Sequence, residues 1–355
     1  MTSPTRREFL SVMAIGAALP VRRQATASRT RMCLAYTSFA VRMLQGRDIL
    51  KSTAAALPAE GLLDLTEQFW AGGAQVDLSQ LESHDPGYLA RVRSRAEKAG
   101  LWLELSVPSK YLESAEAYAQ MAGVTQALGV DRIRVALLYG RRYESFATLD
   151  AWSAHDRKWR SQLAAIKPAI ERYPIRVGIE NHKDYSSREL AELLTSLDSA
   201  KIGACVDFGN NISLLEDPLD TVRTLAPFAV TTHLKDMAVR QSPDGFELSE
   251  VPLGEGIVPL AEAIALVKAA RPDARLALEM ITRDPLSVPY RTDKYWIAVN
   301  RPSPGAMARF ERDVLGKAWK DPLPHISHLT KAQQVEAEDE NVRRSVKYAK
   351  DVLHL

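Results

Sequence analysis

Four short apolar runs in the chain each end on a side chain able to hold a metal ion or move a proton. They are Ile179-Glu180-Asn181-His182, Val206-Asp207-Phe208-Gly209, Thr232-His233-Leu234-Lys235 and Leu278-Glu279-Met280. The steps from Glu180 to Asp207, on to His233 and on to Glu279 are 27, 26 and 46 residues. The first two each equal one strand–helix repeat. A single carboxylate at a strand end is most simply a helix cap or an arginine's partner; four in register are a constellation. Three carboxylates and an imidazole make a hard, oxygen-dominated donor set, suited to Mn²⁺, Mg²⁺ or Co²⁺ rather than to a thiolate-built structural zinc site. Against one divalent ion the three negative charges leave an excess, and Lys235 is placed to offset it. An ion bridging a carbonyl and a hydroxyl oxygen acidifies the C–H between them and stabilises the resulting enediolate. Returning the proton to the other face gives epimerisation, and expelling a leaving group gives elimination. These reactions share their first half, so the four residues alone do not separate them.

Such a set converges only if the strands carrying it are parallel neighbours. Eight β-rich apolar runs recur along the chain, near Met32–Tyr36, Ala74–Leu78, Leu101–Val107, Arg132–Leu138, Ile175–Glu180, Ile202–Asp207, Val230–Leu234 and Arg275–Glu279. Helical stretches lie between them, as at Tyr88–Ala99, Ser114–Leu128, Trp152–Glu171 and Arg188–Ser196. Gly100 and Gly129 read as left-handed helix caps. This α/β alternation predicts a (β/α)8 TIM barrel, in which equivalent positions on successive strands face one mouth. A doubly wound open sheet is the competing fold, but Tyr36-Thr37-Ser38-Phe39 after the first strand lacks its glycine fingerprint. The barrel spans 28–284, and 285–355 forms a C-terminal helical extension with helices near Gly305–Leu315 and Thr330–Val352. The stretch from Ser38 to Gly73 has room for two helices. Gln241–Val258, with Pro243-Asp244-Gly245 and Gly254-Glu255-Gly256, reads as a loop excursion acting as a lid.

Composition narrows the class. The 355 residues are 46% hydrophobic and 25% charged, which is globular and excludes disordered, collagen-like and disulfide-scaffold chains. A formal charge of +2 gives no support to nucleic-acid binding. Cys33 and Cys205 both lie in strand-like runs and read as buried free thiols. At the N-terminus, Thr5-Arg6-Arg7-Glu8-Phe9-Leu10 precedes a mild apolar run and Ala25-Thr26-Ala27, which resembles a twin-arginine export signal over 1–27. That run is too short for a stable membrane span. Its loss removes four arginines and one glutamate, turning the net charge to −1. The expected location is the periplasm.

The motifs Ile179-Glu180-Asn181-His182, Cys205-Val206-Asp207-Phe208-Gly209-Asn210, His233-Leu234-Lys235-Asp236 and Leu278-Glu279 resemble the sugar phosphate isomerase/epimerase family of xylose isomerase-like barrels, which includes the ketose 3-epimerases. The resemblance runs over about residues 30–284. It implies that Glu180, Asp207, His233 and Glu279 hold one divalent metal, Mn²⁺ foremost, with Co²⁺, Mg²⁺ or Zn²⁺ as alternatives. It also implies that Glu180 and Glu279 are the catalytic acid/base pair. The ketose 3-epimerases carry a substrate-holding histidine three residues after the metal aspartate, where this chain has Asn210. Asparagine hydrogen-bonds but does not titrate, so the sugar differs. His182, Asn210, Lys235 and Tyr36 are the expected substrate-binding residues. Tyr36 and Phe208 lie at or just past strand ends as an aromatic wall, whereas Trp70, Trp102 and Phe39 read as core.

The expected partner is a small carbohydrate, unphosphorylated because phosphorylated sugars are largely cytoplasmic. The resemblance and the long tail are compatible with a homodimer. The reading is therefore a metal-dependent isomerase or epimerase. A lyase acting on a keto-glycoside or a dehydroshikimate-like acid is the alternative. An abasic-site endonuclease needs histidines that strands two to four do not offer. A non-catalytic sugar binder has no need of both glutamates.

Overall fold

A computed structural model describes residues 30–44 and 57–355. The export pattern expected over 1–27 lies outside the described residues. The strands in chain order are β1 (Thr30–Ala35), β2 (Ala71–Asp77), β3 (Trp102–Ser106), β4 (Arg132–Val135), β5 (Arg176–Glu180), β6 (Ile202–Asp207), β7 (Ala229–Leu234), β8 (Asp236–Ser242), β9 (Gly245–Val251), β10 (Arg275–Leu278) and β11 (Leu286–Val288). Strands β1 to β7 and β10 close into a parallel ring, with β10 between β7 and β1. The fold is the TIM barrel that the alternation predicts.

Each barrel strand is short and apolar on alternate positions. Ile133, Val135, Val177, Ile179, Ala204, Val206, Leu276 and Leu278 are fully or almost fully buried. The period-two pleat sends the residues between them to the opposite face. Those residues include Arg134, Glu180, Cys205, Asp207 and His233, so one alternation supplies both the shell against the helices and a polar barrel interior. Gly100 and Gly129 do take left-handed φ values of 67° and 71° behind their helices. Both cysteines are buried and free.

The segment after β7 is not a loop. β8 and β9 pair antiparallel from Asp236↔Val251 to Ser242↔Gly245, and β11 adds along β9. Pro243 and Asp244 close the hairpin, and Phe246 and Leu248 are fully buried. Nor is Gly254-Glu255-Gly256 a free lid. The Asp236 carboxylate accepts from the backbone N–H of Met237, Gly254, Gly256 and Val258 at 2.9–3.0 Å. That single side chain ties the end of the excursion back to its start. The C-terminal helices span Pro304–Asp313 and Lys331–Asp351, and Tyr295, Phe310, Val342 and Ala349 are buried in the main core. Glu338 of the last helix accepts from the Val41 N–H at 2.6 Å and pairs with Arg42 at 2.7 Å. No described helix is long and apolar enough to cross a membrane.

Candidate metal centre

Four adjacent strand ends bring the four expected ligands together. Asp207 and His233 are direct partners in the β6–β7 ladder. Glu180 ends β5, and Glu279 follows β10 with its N–H on the Leu234 carbonyl at 3.0 Å. One ligand atom from each of Glu180, Asp207, His233 and Glu279 lies within 4.8 Å of all the others. The His233 Nδ1 atom is 3.2 Å from Glu180 Oε1, 3.4 Å from Glu279 Oε2 and 3.7 Å from Asp207 Oδ2. The Cys205 thiol comes within the same reach of Glu180 and His233.

Two features of the surroundings fit a bound cation. The first is the histidine tautomer. Glu104 is held by the Thr231 hydroxyl and accepts the Gln75 amide at 3.2 Å. This turns the Gln75 carbonyl oxygen toward His233 Nε2, 2.9 Å away. That nitrogen must then carry a proton, so Nδ1 is the atom that faces the three carboxylates: it donates to them while the ring is charged, as they favour, and is the atom that binds a cation once that proton is lost. The second is an acceptor turned into the cluster. Asp207 Oδ1 accepts the Gly209 and Asn210 N–H groups at 2.9 and 2.7 Å. Asp207 Oδ2 is buried without a hydrogen bond and meets only the charge of Lys235, whose Nζ stands 3.0 Å away. That oxygen keeps lone pairs for a further cation.

Other charges hold the carboxylates in place. The Arg134 guanidinium engages Glu180 through two nitrogens, and Asn210 Nδ2 donates to the other oxygen at 3.0 Å. Burial alone raises the pKa of Glu180, but Arg134 and His233 outweigh it and the carboxyl is held far below its usual range. Glu279 accepts from Thr37 at 2.9 Å and pairs with Lys235 at 2.5 Å. Burial likewise opposes ionisation of Glu279, and His233 and Lys235 overcome it.

The expected substrate residues divide. Asn210 and Lys235 are buried within the cluster, and Asn210 Oδ1 accepts from Lys235 at 3.2 Å and from Lys183 at 2.5 Å. His182 sits at the rim, with Nδ1 on the Leu138 carbonyl at 2.9 Å and its ring against Tyr139. Burial pushes its pKa down to about 3, so the ring is neutral. Tyr36 opens the turn after β1, beside Arg134 and Ser106, and burial raises its phenol pKa. Phe208 is 1% exposed and belongs to the core, not to a sugar-facing wall. Trp102 starts β3, at the end of the barrel opposite the cluster, and Trp70 is exposed.

Sequence reasoning passed over Arg134, Lys183, Gln75, Glu104, Glu250 and Arg283. The Arg132-Ile133-Arg134-Val135 strand, with charge on one face, was the available signal for Arg134. Glu250 on β9 takes Arg283 in a two-point pair at 2.6 and 3.2 Å and lies 3.9 Å from Lys235. Only the unforeseen hairpin puts it there. Arg142, outside the cluster, is buried with its guanidinium 3.8 Å from the centre of a Trp152 ring and bonds Ala298 and Glu189.

Residues 65–299 match the model of a family described as xylose isomerase-like TIM barrels. Among characterised proteins the chain is similar to the 3-oxo-isoapionate decarboxylase of Pectobacterium atrosepticum, 28% identical over 220 residues that cover 60% of this chain and 73% of that protein. A xylose isomerase-like TIM barrel protein from Mycobacterium smegmatis, solved in complex with magnesium, superposes with a TM-score of 0.53 at 13% identity, over 78% of this chain and 98% of that one. A D-psicose 3-epimerase solved in the presence of D-fructose superposes with a TM-score of 0.52 at 15% identity, over 81% and 90% of the two chains. At such identities the two structures establish the shared fold.

Proposed function

The chain belongs to the family of xylose isomerase-like TIM barrels, and on that premise we propose that it is a metal-dependent isomerase or epimerase of an unphosphorylated sugar or keto-sugar. The observation that carries the reading is the gathering of Glu180, Asp207, His233 and Glu279 within 4.8 Å of one another. When bound there, a divalent ion supplies Lewis acidity to neighbouring carbonyl and hydroxyl oxygens. The chain's own residues do the rest. Glu180 and Glu279 hold ionised carboxylates ready to take or return the proton next to the carbonyl. Asn210 and Lys235 present donors to the charge that develops on oxygen, and Arg134 and Thr37 keep the two glutamates in place.

A second reading, a lyase that releases a carboxyl or other leaving group from the same enediolate-forming step, is favoured by one geometric fact. Two guanidinium nitrogens and the Asn210 amide occupy Glu180, which restrains it from acting as a mobile second base. Loss of carbon dioxide needs one proton delivered and no second base. The similarity to a decarboxylase supports this reading too.

The test is metal analysis of purified protein, then a screen of unphosphorylated keto-sugars and sugar acids in deuterated water. Deuterium incorporated at unchanged carbon skeleton supports the isomerase. Carbon dioxide or an unsaturated product supports the lyase. A protein that takes up no manganese, cobalt, magnesium or zinc contradicts both. Periplasmic export belongs to this proposal, and N-terminal sequencing of protein from the periplasm should begin just past Ala27.

A further inference from the structure

The charged side chains around the candidate centre each stand at ion-pair distance from an opposite charge, with a single exception. Arg134 pairs with Glu180, Lys235 with Asp207 and Glu279, and Arg283 with Glu250. Lys183 is also buried, at 4% exposure. Among the described residues it has no carboxylate at ion-pair distance, and its ammonium donates to the neutral Asn210 Oδ1 at 2.5 Å. An ammonium has three N–H donors, and burying its charge without a counter-ion is unfavourable.

The backbone is bent to put it there. Lys183 has φ 66°, in the left-handed region that a residue with a Cβ rarely occupies. The conformation is fixed from both sides. Asp184 Oδ1 accepts the N–H groups of His182 and Tyr185 at 3.0 and 2.8 Å, and the Lys183 carbonyl accepts the Arg142 N–H at 3.0 Å. Burial, followed by the nearby Lys235 and Arg283, pulls the Lys183 pKa down to about 8.

Counting charge gives the same direction. Glu180, Asp207, Glu279 and Glu250 balance Arg134, Lys235, Lys183 and Arg283, so a divalent ion leaves this connected set with two positive charges. Asp77, across the ring on β2, is engaged with Ser79 in its own turn. A substrate that itself carries a negative charge offsets part of this excess and a neutral sugar does not, because the proton lost in forming an enediolate stays on a residue of the set.

We propose that the substrate carries a carboxylate beside its hydroxy-carbonyl unit, a sugar acid rather than a neutral sugar, and that Lys183 is the residue that binds this carboxylate. The inference rests on the functional reading above and narrows its substrate class. Asn210 sets the distance. Its Nδ2 is on Glu180 and its Oδ1 on Lys183, so the ammonium stands one amide width from the ligand cluster, where a carboxyl one or two carbons from the reacting carbon would lie.

The experiment is calorimetric titration of the manganese-loaded full chain with paired probes: four-, five- and six-carbon aldonic acids, each against the alditol of the same configuration, and one sugar phosphate. The expected result is at least tenfold tighter binding of one acid than of its alditol. Lys183→Met should abolish that preference while leaving alditol affinity and metal content unchanged, and Lys183→Arg should restore part of it. Thermal melts confirm that both variants are folded. Equal affinity for acid and alcohol, no binding of any acid, a preference that survives in Lys183→Met, or tighter binding of the phosphate overturns the proposal. A protein that takes up no metal defeats the functional reading itself, whereas a metal-loaded protein indifferent to the carboxylate defeats this inference alone.

Discussion

Glu180 and His233 act through neighbours that fix what they can do. The Gln75 carbonyl holds the proton of His233 on Nε2. Replacing Gln75 with Leu removes that constraint and should weaken metal binding about 10–100-fold, read by competition with a chelating dye while the melting curve stays cooperative. Glu180→Gln keeps the shape of the side chain and loses the charge. It should lower turnover about 10²–10⁴-fold if the screen identifies an isomerase or epimerase, with metal content as the control. Asp184 tests the turn beneath Lys183. Its carboxyl is fully buried with Oδ2 unpartnered, and burial raises its pKa to about 7 against backbone N–H bonds that lower it. The folded state therefore holds this proton after the unfolded chain has lost it, so stability falls as pH rises from about 4 to about 7 and levels off above. In urea titrations Asp184→Asn should fare better relative to wild type at pH 8 than at pH 4.5, by on the order of 2 kcal/mol; an identical difference at both pH values would exclude the buried acid. The four residues of the candidate centre were legible because a strand-end residue needs only its spacing to be placed. Arg134, Gln75 and Lys183 were not, because their importance lies in contacts between strands distant in sequence.

At the level of elements, the hairpin is where expectation and structure part. Asp244-Gly245 between Val239 and Phe246-Leu248 is a hairpin signal. It was obscured by Pro243 and by the nearby Gly254 and Gly256. The pairing that decides it lies partly in β11, beyond the barrel, which covers the β9 edge. What reads as a lid is a fixed wall that brings Glu250 to Arg283 and Lys235. Its closing turn is sensitive to added bulk. Gly254 has φ 87°, and a Cβ there would lie 2.1 Å from the Tyr348 ring. Gly254→Ala should destabilise the protein by about 1–3 kcal/mol, seen as a lower urea midpoint at unchanged slope. If the turn is loose, the midpoint will not move.

Across the whole molecule, the last helix closes a circuit back to the centre. Glu338 grips Val41 and Arg42, in the segment that follows β1 and carries Thr37 to Glu279. Ending the chain at Thr330 removes that grip and uncovers the pocket filled by Val342, Val346 and Ala349. The shortened protein should melt at lower temperature and bind metal more weakly than the full chain; unchanged values would show the helix to be dispensable. Metal should in turn support the fold, because only the folded state assembles the four ligands. A free concentration one hundred times Kd adds about 2.7 kcal/mol, visible as a raised melting temperature that a chelator reverses and that Asp207→Asn largely loses.

The sequence by itself determined the strand–helix alternation, the closed ring it builds, and four side chains at equivalent strand ends. All of these follow from periodicities of two and 3.6 residues and from repeat length, which are local properties. Tertiary structure alone decided the charge environment: which cation meets which carboxylate, which histidine nitrogen faces the carboxylates, and why Lys183 has no anion of its own. Those outcomes depend on distances across the ring between residues up to 158 positions apart, as with His233 and Gln75, and no pattern along the chain encodes such a distance.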